Sequence, residues 1–341
     1  MFATLVGGYP IFGAASLPAP GAELDAAVRD VLAEQATAGL ELLTDGSLRT
    51  PDPIEAFGAA LVDPRDSQTG RVSWSGPINL EGWSFAARAA REVAAGLPVK
   101  QCLPGPYTLG RRLFADDARR PELTRDLADA LSMELEALAE AGCPFIQIDE
   151  DDAVTIGADE SERALFRDSQ ERMLGRLPDQ RPHLSLAICG GDADSAGAET
   201  IFSAPYDSHL FDLIAGPENW RLVRWAPAER GIVVGVVDAR SAKPDKLELI
   251  VWAVGYAAST RGRGEARIGV APSGSLAGLP RDAARQKIEL LGRAAELFAK
   301  RDTEPIAASL DPRAVDKRSA ALGRWTSPRD RPRPRDRRKA R

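Results

Sequence analysis

Two histidines and three cysteines in 341 residues leave little material for metal or thiol chemistry. Cys102, Cys143 and Cys189 show no regular spacing. That excludes a disulfide framework and fits a reducing, cytoplasmic setting. No apolar run approaches the ~18 residues of a membrane span, and the start Met1-Phe2-Ala3-Thr4-Leu5-Val6 lacks the basic stretch of a secretion signal. No glycine-rich phosphate fingerprint stands between a strand and a helix. Neither a Ser-His-Asp set nor a nucleophile elbow is present. His183 opens an apolar strand, at the end away from any strand-end site. His209 lies three residues before Asp212, an odd spacing that puts the two on opposite faces of a strand. Histidine acid–base chemistry is therefore not expected. No internal repeat is visible.

What is present is an acidic body with a basic end. The net charge is −6, yet Pro312–Arg341 alone holds twelve Lys/Arg against three Asp/Glu. Its last part, Ser327–Arg341, has no apolar anchor, and the basic end is expected to be disordered. It is either a solvated terminus or an electrostatic contact for an anionic surface. The organisation expected is a catalytic domain over 1–310 and a basic tail over 311–341. Hydrophobic residues at 44% supply an ordinary globular core.

Within the body, strand and helix patterns alternate. Strands are expected at Thr4–Pro10, Glu41–Gly46, Pro98–Pro106, Phe145–Ile148, His183–Cys189, His209–Leu213, Gly231–Asp238 and Ala266–Pro272. Helical periodicity fills Glu23–Gly39, Phe85–Gly96, Tyr107–Phe114, Pro121–Gly142, Ser161–Leu174, Leu247–Ser259 and Arg281–Lys300. Eight such alternations with short links make an α/β fold of the (β/α)8 TIM-barrel type the expected topology, and roughly 250 residues suffice for one. The pattern breaks over 62–85, around Trp74, where an insertion between the second and third strands is expected, resting on the barrel mouth or its rim.

The stretch that organises the rest is Phe145-Ile146-Gln147-Ile148-Asp149-Glu150-Asp151-Asp152. An apolar strand stops on four consecutive acids. In a parallel barrel the C-terminal strand ends carry the chemistry. They supply Asp45, Asp149, Glu150, Cys189, Asp212 and Asp238, with Arg49, Arg111, Arg112 and Arg240 nearby. A carboxylate ring with few cations suits an amine or a divalent metal. The same run also fits a solvated acidic turn that caps the next helix. Cys189 is open to three readings: soft metal ligand, nucleophile, or small apolar filler.

Five motifs in chain order resemble a known family. They are Val6-Gly7-Gly8-Tyr9-Pro10, Leu43-Thr44-Asp45-Gly46, Pro104-Gly105-Pro106-Tyr107-Thr108, Ile146-Gln147-Ile148-Asp149-Glu150 and Gly235-Val236-Val237-Asp238. Together they look like the catalytic barrel of cobalamin-independent methionine synthase, a member of the superfamily of uroporphyrinogen decarboxylase. The resemblance implies methyl transfer from a folate-type donor to a thiol held as thiolate by zinc. It also implies zinc ligands: a His-x-Cys pair, a Glu and a second Cys, after the fifth, sixth and eighth strands. Here those positions read Ala187-Ile188-Cys189, Asp212 and Pro272-Ser273-Gly274-Ser275-Leu276. Only Cys189 and Asp212 remain as candidate ligands, so zinc is not expected. Gly8 stands where the family has Ser, Ser47 where it has Glu, and Asp151 where it has Pro. Asp149 keeps the place that holds a substrate amine.

The residues expected to act are Asp149, Glu150, Cys189 and Asp238 in catalysis. Gly8, Asp45, Ser47, Tyr107, Thr108, Arg112 and Asp151 are expected to bind substrate. The function expected is methyl or alkyl transfer to or from a small, amine-bearing molecule. A metal-free lyase or decarboxylase and a non-catalytic binding barrel are the alternatives. The expected partner is a small molecule, with no nucleic acid or membrane for the barrel; a homodimer stays open.

Overall fold

The structure, a computed structural model, describes residues 1–11, 20–62, 72–178 and 181–301. Among them run β1 (Phe2–Ala3), α1 (Ala22–Thr37), α2 (Pro53–Leu61), α3 (Leu80–Val93), β2 (Gln101–Pro104), α4 (Pro106–Leu113), α5 (Arg120–Glu140), β3 (Phe145–Asp149) and α6 (Glu160–Leu174). There follow β4 (His183–Ile188), α7 (Ala198–Ile201), β5 (Ser208–Asp212), α8 (Trp220–Trp225), β6 (Gly231–Val237), α9 (Leu247–Ser259), β7 (Ile268–Pro272) and α10 (Arg281–Lys300). The seven strands form one parallel, curled sheet in the order β1-β7-β6-β5-β4-β3-β2, with helices alternating along the chain.

The strand expected at Glu41–Gly46 is reduced to two single bridges, Leu42 to Thr4 and Leu43 to Val99. The Leu43 amide donates to the Pro98 carbonyl and the Lys100 amide to the Leu43 carbonyl, each at 2.9 Å. Two residues thus join the two edges of the sheet. The first strand is also shorter than expected. The carbonyls of Leu5 and Val6 leave the ladder and are taken up by side chains of Lys100, Gln147 and Cys102.

Side-chain pattern explains the elements. Ile232, Val233, Val234, Val236 and Val237 make β6 a branched apolar run buried on both faces, as a parallel sheet demands. On β3, Ile146 and Ile148 pack among the helix-facing core. Gln147 and Asp149, two apart, share the other, inward face. Leu123, Leu127, Leu131, Leu135 and Leu138 hold α5 on that core. The short helices α2, α7 and α8 were not expected. For α2 the signal is local: Asp52 accepts the Glu55 amide, and Pro53 occupies the first turn.

The expected 62–85 insertion is corrected at its end, because α3 already begins at Leu80. Val62 and Val72 pair antiparallel, and 63–71 lies outside the described residues. Among the insertion's described residues, 62 and 72–85, none lines the cavity at the strand ends. Trp74 Nε1 and the amides of Ile78 and Asn79 all donate to the buried carboxylate of Glu134 on α5. The basic tail, 311–341, lies outside the described residues. Among those described, no helix is long and apolar enough to cross a membrane.

Candidate active site

At the C-terminal ends of the strands opens a cavity of about 750 Å³. Gly8, Ser47, Pro104, Thr108, Arg112, Asp149, Asp151, Cys189 and Ser275 line it. They come from loops after β1, the Leu42–Leu43 bridge, β2, β3, β4 and β7, so the curl of the sheet gathers them from across the chain. An outer wall of Pro10, Ile11, Pro51, Pro53, Ile54 and Leu279 is apolar. A smaller lobe of about 330 Å³ shares Arg112, Asp151 and Cys189 and adds Asp152 and Arg240. The dimensions suit a small ligand.

The acidic run divides. Asp149 and Asp151 face the cavity. Asp149 accepts the Gln147 side-chain amide at 2.6 Å, and Asp151 accepts the Cys189 amide at 3.0 Å. Neither makes an ion pair among the described residues. Burial, and then repulsion from Asp151, holds Asp149 well above the usual carboxylate range, against Gln147 and Lys100. Burial raises Asp151 as well, against the Cys189 amide and Arg112. Asp152 takes Arg112 in a two-bond pair at 3.0 and 3.2 Å.

Glu150 turns the other way. It is fully buried and accepts the amides of Tyr107 (3.0 Å) and Thr108 (2.7 Å) and the Gln170 side chain (2.6 Å). Its carboxylate therefore caps the first turn of α4 rather than meeting the cavity, which corrects its expected place in the mouth. Burial still raises it to about 7. Gly105 is required there, since a Cβ would collide with the Glu150 carboxyl. Tyr107 is also turned away, with its hydroxyl on Glu162 at 2.6 Å. Asp45 is spent locally, accepting the Ser47 amide at 2.8 Å. Asp238 accepts the Arg240 amide at 2.9 Å. Neither Asp45 nor Asp238 lines the cavity. Ser47 does, held at a φ of 54°, the left-handed region that non-glycine residues avoid. A side chain on Gly8 would meet Ser275, so the loop after β7 occupies the space a serine there would need.

Around Cys189 the arrangement is an internal ion pair. Asp212 is fully buried and accepts the amides of Gly190 (3.0 Å), Ile214 and Ala215 (both 2.9 Å). The Arg240 guanidinium binds the same carboxylate and reaches Ser273 Oγ at 3.2 Å. Cys189 lies in the wall with its thiol pushed well up, first by burial and then by Asp151 and Asp212. Among the described residues, no three His, Cys, Asp or Glu side chains are disposed to hold one metal ion.

His183 stacks on Phe145 and pairs with Ser208, and His209 is buried among Phe202, Tyr206 and Phe211. Both are away from the cavity. The sequence reading passed over three side chains. Arg240 appeared only as a nearby charge, and nothing local links it to Asp212. Gln147 was signalled by its parity with Asp149. Lys100 was signalled by a charge inside an apolar strand.

A parallel α/β barrel whose strand ends floor one cavity with carboxylates is an architecture of ligand-handling and catalytic domains. The family model for the cobalamin-independent synthase catalytic domain matches residues 21–297. The chain belongs to that family. A methionine synthase from Methanothermobacter marburgensis is 27% identical over 289 residues, covering 81% of this chain and 88% of that protein. The 5-methyltetrahydropteroyltriglutamate–homocysteine methyltransferase of Rhodopseudomonas palustris is 29% identical over 199 residues, 55% of this chain and 24% of that protein. A B12-independent methionine synthase from Shewanella sp. W3-18-1, solved with selenomethionine, shares the fold with a TM-score of 0.70. That match has 18% identity and covers 88% of this chain and 98% of that one.

Proposed function

We propose that this chain transfers a methyl or alkyl group to or from a small, amine-bearing substrate, without the zinc site that the resemblance implies. Family membership and the names of its relatives support methyl transfer. The substrate class rests on one observation: Asp149 and Asp151 face the cavity and, among the described residues, make no ion pair. A ligand ammonium between them would relieve their mutual repulsion and lower both carboxyls toward their ordinary range. Thr108 and the Pro104 turn would then face the group donor, and the apolar outer wall would exclude water from it.

The zinc-free part is supported by Arg240. A guanidinium already neutralises Asp212, whose remaining acceptors hold backbone amides. Cys189 is left as a neutral thiol in the wall, a poor ligand and a poor nucleophile. The donor set does not fit zinc. Plasma mass spectrometry of the purified, untagged protein should find zinc well below one per chain, with no thermal shift on EDTA or zinc addition. Near-stoichiometric zinc would sink this part of the proposal. Cys189→Ala should retain activity within a few-fold.

A metal-free lyase is favoured by a different observation. Asp149, raised by burial and by Asp151, faces the cavity where a proton donor to a developing carbanion would stand. Methylated product appearing only with a folate-type donor supports transfer. Turnover with neither donor nor metal supports the lyase.

A further inference from the structure

Beneath Asp149, Lys100 and Gln147 form a buried polar pair on an inward side of the sheet that also carries Val6, Ala187, Leu210, Val233 and Ala271. Lys100 is 2% exposed. Its Nζ donates to the Leu5 carbonyl at 2.6 Å and to Gln147 Oε1 at 2.5 Å. Gln147 is 1% exposed, and its Nε2 donates to the Val6 carbonyl at 2.7 Å and to Asp149 Oδ1 at 2.6 Å. Lys100 Nζ thus serves as donor to two oxygens. It therefore fixes which end of the amide faces it: Oε1 toward Lys100, and the amide nitrogen toward Asp149. With an apolar residue at position 100 the amide is free to turn over and set its oxygen against the carboxylate.

We infer that Lys100 and Gln147 are positioning residues for Asp149. The lysine sets the direction of the amide, and the amide holds one carboxylate oxygen, so that Asp149 meets the cavity in one orientation. Burial lowers Lys100, against Cys102, Asp149 and Cys189, which hold it up. This deepens the reading of Asp149 as an amine anchor and rests on it. The groups that act on Asp149 are Lys100 below, Glu150 and Asp151 on its own loop, Cys102 on β2, and Cys189 after β4. Burial and Asp151 push its titration up, while Gln147 and Lys100 pull it down.

The test reads the carboxyl itself and needs no substrate. In the full chain, aspartate carboxyls are labelled with carbon-13, and the Asp149 signal is identified by its loss in Asp149→Asn. Its titration is then followed in wild type, Gln147→Met, Lys100→Met and the double variant. Each variant is expected to raise the Asp149 midpoint by about one pH unit, tenfold in proton affinity. The double variant removes the lysine and its amide partner together, so neither is left buried without the other. An unmoved midpoint in the double variant overturns the inference. A wild-type readout stands independently: the Gln147 side-chain amide must shift with the Asp149 midpoint, and an amide indifferent to that titration overturns it too. Methylammonium serves as the ligand probe. If it leaves the wild-type Asp149 signal unchanged while the variants still move the midpoint, the amine-anchor reading fails and the positioning network stands.

Discussion

Two side chains with similar sequence credentials part company once their neighbours are known. Asp149 and Glu150 are adjacent acids at a strand end, yet one faces a ligand cavity and the other caps a helix. Glu150→Ala leaves the Tyr107 and Thr108 amides and the Gln170 side chain without their acceptor. At about 1–3 kcal/mol for each orphaned group, the unfolding midpoint is expected to fall by several degrees or more. Gly105→Ala should do the same by displacing the carboxylate. Thermal unfolding checks both, and an unchanged midpoint with lost activity would return Glu150 to catalysis. His209 makes the acid side of stability a residue-scale matter. Burial, with a smaller push from Arg230, lowers it to about 3. The unfolded chain takes up that proton near 6.5 and the folded one only near 3. Stability is therefore lost as pH falls through that window, by up to about 1.4 kcal/mol per pH unit. His209→Phe, set among the rings of Phe202 and Phe211, should flatten the decline in melting temperature between pH 7 and pH 4. A parallel decline in the variant would refute this.

Among the elements, α3 and α5 are tied through a single carboxylate. Glu134 gathers Trp74, Ile78 and Asn79, so that the start of α3 is fastened to the middle of its neighbour. Glu134→Ala should raise amide exchange at Ile78 and Asn79 at least tenfold while leaving β3–β6 protected; uniform exchange across both regions would contradict a local role. The elements themselves were largely legible. Branched runs such as Ile232–Val237 and leucine stripes such as Leu123–Leu138 carry their own periodicity. The second strand was not, because two bridges are all that Leu42 and Leu43 contribute, and its apolar residues look the same either way. For the site, Asp149 and Cys189, read as strand ends, line one cavity together with Asp151. Glu150, Tyr107 and Asp238 do not line it. Their directions depend on α4 and on the loops after β5 and β6, contacts with no local signature. Arg240 and Asp212 are 28 residues apart, and only the closed geometry brings them together.

Across the molecule, the curl of the sheet is completed by two single bridges rather than by a ladder. The seam at Leu42–Leu43 should exchange its amides faster than the β3–β4–β5–β6 centre, which hydrogen exchange with mass spectrometry can read directly; equal protection would show the ring to be uniform. The same short segment leads straight into Gly46 and Ser47, and its partner edge leads into Gly8, all of them cavity wall. The barrel is thus a bracelet whose clasp lies beneath its setting. A ligand that reaches both Gly8 and Ser47 spans that clasp, so its occupancy and ring closure are thermodynamically linked. A bound ligand should slow exchange at Leu43 more than at any residue of β5, and a loosened clasp should weaken binding without touching a single group that contacts the ligand.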